Sequence, residues 1–127
     1  MKLRVFDEDG KAGAASEAGA WAELGSAAAE PGAAVKLGAA AASYGAEAIR
    51  EAIARKGRAN IILATGASQL QMLETLVRQD IDWTKVVAFH LDEYIGLPTG
   101  HPASFRKYLK ERFVETGGAV AEFHYID

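Results

Sequence analysis

The 127 residues contain no cysteine, which excludes disulfides and thiolate metal sites and suits a reducing compartment. There is no excess of positive charge either. Lys and Arg number 14 against 17 Asp and Glu, a formal charge of −3, and they are interspersed rather than gathered into the basic stripe that nucleic acid needs. DNA and RNA are therefore not expected partners. No stretch reaches the roughly 18 consecutive apolar residues of a membrane span, and Met1-Lys2-Leu3-Arg4 leads into acidic residues rather than an apolar run. No membrane association is expected, and the composition suits a cytoplasmic protein. Bulky apolar side chains are also scarcer than the hydrophobic content of 50% implies, because much of it is alanine. The core must come from a few clusters of Leu, Ile, Val and aromatic residues, in one domain over 1–127.

Leu3, Val5 and Phe6 suit a short strand, stopped by the polar residues 7–10. Residues 10–43 are dominated by Ala and Gly, with Pro31-Gly32 in the middle and only Trp21, Leu24, Val35 and Leu37 as bulky apolar side chains. Alanine favours helix while each glycine costs about 1 kcal/mol against it, so this segment is expected to be poorly defined, a linker or short helical pieces. Periodicity sharpens at Tyr44. Ala46, Ile49 and Ile53 fall on one helical face, and Gly57 supplies a stop. Ile61-Ile62-Leu63-Ala64 and Val86-Val87-Ala88-Phe89 read as strands buried on both faces. Leu70, Leu73, Leu76 and Val77 recur at helical spacing between them. Phe105, Tyr108, Leu109 and Phe113 share the face of a further helix, with Pro102 in its first turn and Gly117-Gly118 at its end; residues 122–126 read as a last strand. Alternating strands and helices at this spacing predict an α/β fold with a mainly parallel sheet, whose ligands gather beyond the carboxyl ends of the strands.

Two strand ends carry candidate chemistry. The turn Thr65-Gly66-Ala67-Ser68 combines small residues and hydroxyls at the start of a helix, where unpaired N–H groups and the helix dipole favour an anion such as phosphate. The same residues also suit a plain turn with Ser68 as an N-cap. At Phe89-His90-Leu91-Asp92-Glu93-Tyr94 an apolar strand runs into two adjacent carboxylates. Mutual repulsion and partial desolvation would raise a carboxyl pKa toward that of a general base, while a solvated turn or a helix cap is the structural alternative. His90 reads as a partly buried strand residue. The three histidines have no ligand spacing, and one Asp-Glu pair does not make a metal site.

Taken with His101-Pro102-Ala103-Ser104-Phe105 and the continuation Ile95-Gly96-Leu97-Pro98, these segments resemble the glucosamine-6-phosphate deaminase/isomerase family over residues 46–127. Residues 91–98 are the most specific part. The resemblance implies a Rossmann-like three-layer sandwich with a mainly parallel sheet, here a truncated domain: the N-terminal half, without the Gly-rich segment that carries the ring-opening His. It implies an isomerase/deaminase that converts glucosamine 6-phosphate and water to fructose 6-phosphate and ammonia, with no cofactor and no catalytic metal. Asp92 would move a proton between C2 and C1 of the opened sugar, with Glu93 as its supporting neighbour. Thr65, Gly66, Ala67 and Ser68 would lie against the phosphate or adjacent hydroxyls of a small phosphorylated sugar. His90 stands where the family commonly has Asn, and Ala67 where a second small residue, often Gly or Ser, is found. Bare sheet edges in a half-domain imply association, so a homo-oligomer is expected. The competing readings are a 6-phosphogluconolactonase-like hydrolase and a non-catalytic sugar-phosphate-binding module.

Overall fold

The computed structural model describes residues 5–6 and 32–126. In chain order these form β1 (Val5–Phe6), α1 (Ala33–Lys56), β2 (Ala59–Leu63), a single 3-10 turn (Ala67–Gln69) leading into α2 (Leu70–Leu76), β3 (Val86–His90), α3 (Phe105–Leu109) with its π-helical continuation Lys110–Val114, and β4 (Glu122–His124). The sheet runs β1-β2-β3-β4, with β1 antiparallel to β2 and the other three strands parallel. The α/β fold with a mainly parallel sheet is therefore present. Among the described residues no helix is long and apolar enough to cross a membrane.

Sequence periodicity and structure agree on the faces of α1. Ala46 and Ile49 are fully buried, Glu47 and Arg50 are exposed, and the helix stops where Gly57, at φ 78°, donates its N–H to the Ile53 carbonyl at 2.8 Å. Its start differs from expectation. The poorly defined segment expected over 10–43 is helix from Ala33 onward, while 10–31 lie outside the described residues, as do Leu3, Trp21 and Leu24. Tertiary packing overrides the glycine penalty here. Gly38 is buried at the crossing with α2, where a Cβ would stand 2.6 Å from Gln71 Cβ and 3.0 Å from the Met72 nitrogen. Its missing side chain lets two backbones approach.

The core is one cluster built from α1, α2, α3 with its continuation, and one face of the sheet. Ile49, Ile61, Leu63, Leu73, Leu76, Val86, Leu109 and Phe113 are fully buried in it, each stabilising the fold by about 1.5–3 kcal/mol. Trp83 meets the Phe113 ring edge to face at 5.4 Å. Along β2 and β3 burial alternates: Ala59, Ile61, Leu63, Val86, Ala88 and His90 are buried, whereas Asn60, Ile62 and Val87 are half-buried and Phe89 is exposed. The expectation of strands covered on both faces is thus not met among the described residues. The physical reason is topological, because strands added in the order β2-β3-β4 by crossovers of one hand place their helices on one side.

The helix at Phe105 carries a second difference. Ser104 is its N-cap, and Pro102 belongs to the preceding turn 101–104, closed by a hydrogen bond from Ser104 N–H to the His101 carbonyl at 3.0 Å.

Candidate functional site at the ends of β2 and β3

Leu63 pairs with His90 at the last rung of the β2–β3 ladder, and Leu91 N–H donates to the Leu63 carbonyl at 3.1 Å. The two chains therefore leave the sheet side by side. Thr65 lies two residues beyond one strand and Asp92 two residues beyond the other. Both candidate segments, read separately in the sequence, issue from neighbouring carboxyl ends, where a parallel sheet offers its ligand crevice.

On the β2 side Gly66 turns the strand into the helix at φ 157° and ψ 162°, a backbone region that is essentially restricted to glycine. Ala67 and Ser68 fall inside the 3-10 turn Ala67–Gln69, with Gln69 N–H bonded to the Gly66 carbonyl at 2.9 Å. Ser68 is consequently not an N-cap; the position before the turn is Gly66. The Thr65 hydroxyl is buried and has no hydrogen-bond partner among the described residues.

On the β3 side the two carboxylates part company. Asp92 is exposed and makes no hydrogen bond or ion pair among the described residues. The burial expected of an acid at the end of a covered strand is therefore absent at Asp92. Glu93 takes the burial instead, with a side chain only 4% exposed. Its Oε2 accepts from the Ser104 hydroxyl at 2.9 Å and Arg106 N–H at 3.0 Å, and its Oε1 accepts from Tyr94 N–H at 2.9 Å and Phe105 N–H at 3.2 Å. Arg106 Nε stands 3.4 Å from Oε2, and Nη2 of the same guanidinium donates to the Leu97 carbonyl at 2.8 Å. Burial by itself pushes the Glu93 carboxyl up. The Arg106, Tyr94 and Phe105 amides and the Ser104 hydroxyl outweigh it, and the pKa is lowered to about 2. The expected rise toward a general base is reversed, because these donors stabilise the charged form.

Glu93 thus caps α3 from a distance of 11 to 13 residues and pins the loop that carries Asp92. Ser104 completes the cap by accepting from Lys107 N–H at 3.3 Å. Neither Ser104 nor Arg106 was singled out in the sequence as a partner of Glu93. The available signal was Ser104 itself, a hydroxyl immediately before an apolar helical periodicity.

His90, the last residue of β3, is 5% exposed and lies 6.3 Å from the Tyr125 ring in an edge-on arrangement. Burial pushes its imidazole pKa down, against the opposing influence of Glu93 and Asp92 and with that of Arg106. It is held as the neutral ring.

A glycine turn after β2 and a loop with an exposed carboxylate after β3, at adjoining ends of parallel strands, define the class: an α/β protein with its candidate residues where parallel sheets gather their ligands. The chain belongs to the family described as glucosamine-6-phosphate isomerases/6-phosphogluconolactonase, whose model matches residues 32–127. A glucosamine-6-phosphate deaminase from Arthrobacter sp. (strain FB24) is 40% identical over 74 residues, which is 55% of this chain and 28% of that protein. Among solved structures, a monomeric glucosamine-6-phosphate deaminase superposes with a TM-score of 0.61 at 25% identity over 72% of this chain and 39% of its own. A 6-phosphogluconolactonase from Shewanella baltica OS155 shares the fold, with a TM-score of 0.66 at 23% identity over 77% of this chain and 40% of its own. The chain spans well under half the length of each.

Proposed function

We propose that the protein acts on a phosphorylated amino sugar as an aldose–ketose isomerase/deaminase, converting glucosamine 6-phosphate and water to fructose 6-phosphate and ammonia. One observation supports this reading: the exposed Asp92 lies in the loop that the buried Glu93 pins after β3, and that loop leaves the sheet beside the end of β2, which runs on into the Thr65-Gly66-Ala67-Ser68 turn. Phosphate is met by the amides of that turn. Asp92 takes the proton from C2 of the opened sugar and returns it to C1 through an enediol-like intermediate, and water replaces nitrogen at C2 so that ammonia leaves. Holding base and anion site in segments that leave adjoining strand ends lowers the cost of bringing them together. Glu93 is a positioning residue rather than a base, since a carboxyl held near pKa 2 carries no proton at neutral pH and has little affinity for one. Support comes also from the deaminase relatives and from residues 91–98, Leu-Asp-Glu-Tyr-Ile-Gly-Leu-Pro.

Ammonia release from glucosamine 6-phosphate by the intact protein, compared with Asp92→Asn, is the decisive assay. Equal turnover by the two would remove Asp92 from its role. Hydrolysis of 6-phosphogluconolactone without ammonia release would instead select the hydrolase reading, and tight sugar-phosphate binding without turnover the non-catalytic one. Cytoplasmic location and self-association belong to the same proposal, and are checked by fractionation and by light scattering.

A further inference from the structure

Buried polar atoms without partners are rare in folded proteins, because each loses its hydration unless something fills the gap. Two of the residues left in this state sit at adjoining strand ends. Both ring nitrogens of His90 lack a hydrogen-bond partner among the described residues, and so does the hydroxyl of Thr65, two residues beyond the Leu63 that pairs with His90. Neither residue is absorbed by the proton transfer or by the cap on α3. The charged groups that influence the ring, Glu93, Asp92 and Arg106, leave it neutral because it is buried. A neutral imidazole offers one N–H donor and one acceptor nitrogen, the complement of an alcohol, which both gives and takes a hydrogen bond.

We propose that His90 is a specificity-determining residue, whose ring, together with the Thr65 hydroxyl, binds a hydroxyl group of the ligand at the ends of β2 and β3. This inference rests on the sugar-phosphate reading above and adds a contact to the part of the molecule that a free phosphate lacks. A site that satisfies its own orphaned polar groups with a ligand hydroxyl discriminates against ligands without one, since those leave the donor and acceptor unpaired.

Nitrogen-15 NMR of the whole chain tests it, with the Gly66 and Ala67 amides reporting on the anion turn and His90 Nδ1 and Nε2 reporting on the ring. Fructose 6-phosphate is expected to shift both sets of signals, and inorganic phosphate the amides alone. His90→Leu should weaken fructose 6-phosphate binding by about 3- to 10-fold, the worth of an ordinary hydrogen bond, and leave inorganic phosphate affinity unchanged; His90→Asn, which keeps a donor and an acceptor, should recover most of the loss. Fructose 6-phosphate that shifts the amides but not the His90 nitrogens overturns the proposal and spares the functional reading, as a buried water would then be the partner. Failure of both ligands to shift either set sinks the two together. The wild-type spectra decide the matter even if His90→Leu does not fold.

Discussion

Glu93→Ala isolates what the buried carboxylate contributes. In the folded protein this side chain receives the Ser104 hydroxyl and the Phe105 and Arg106 amides at 2.9–3.2 Å, together with the exposed Tyr94 amide. Alanine leaves the first three without an acceptor. A buried donor stranded in this way costs about 1–3 kcal/mol, and because Phe105 and Arg106 are only half-buried the lower part of that range applies, for a total of about 2–4 kcal/mol. For a domain of this size that lowers the thermal midpoint by about 10 °C. Calorimetry at pH 7 measures it, and a midpoint within 2 °C of wild type would refute the network as the anchor of the loop. The acid limb gives an independent check. Glu93 has a folded pKa lowered from 4.5 to about 2, so its stabilisation is complete above pH 4.5 and is lost as pH falls from there toward 2. Wild type should lose stability across that window, and Glu93→Ala should lose correspondingly less.

Asp92→Asn should leave stability within about 0.5 kcal/mol of wild type, because the side chain is exposed and unbonded among the described residues. Its ammonia release should fall by about 100-fold or more, the usual worth of a positioned base. His90 has its folded pKa below 6.5, so proton binding favours the unfolded chain, and its contribution, complete above pH 6.5, declines as pH drops toward the folded value; His90→Asn should flatten the stability profile just below pH 6.5. Gly38→Ala gains about 1 kcal/mol in helix propensity but puts a Cβ 2.6 Å from Gln71 Cβ, a clash between helices that no side-chain rotation relieves. Overpacking of about 1–3 kcal/mol should win, and a raised melting temperature would show that the helices can separate freely. Gly118→Ala directs its Cβ to within 2.9 Å of three atoms of the fully buried Phe113 ring, and should melt earlier for the same reason.

Local rules carried far along the chain. The apolar runs at 61–64 and 86–89 are strands to within two residues, Gly57 stops α1, and both candidate motifs fall at strand ends, because strand, cap and turn preferences act over a handful of neighbouring residues. The helix over 33–43 was not legible, since Ala and Gly set its propensity near neutral and the decision rests on the close approach of Gly38 to Gln71 and Met72. Nor could Asp92 and Glu93 be told apart as adjacent letters. Which acid is buried depends on where the α3 N-terminus lies, 11 residues further on, and only folding brings its amides to Glu93. Local sequence was enough for the α/β order of elements and for the residues that carry charge at the strand ends. Folding in space settles which of those charges is locked by hydrogen bonds and which stays exposed, because burial and long-range donors act through space and not along the chain.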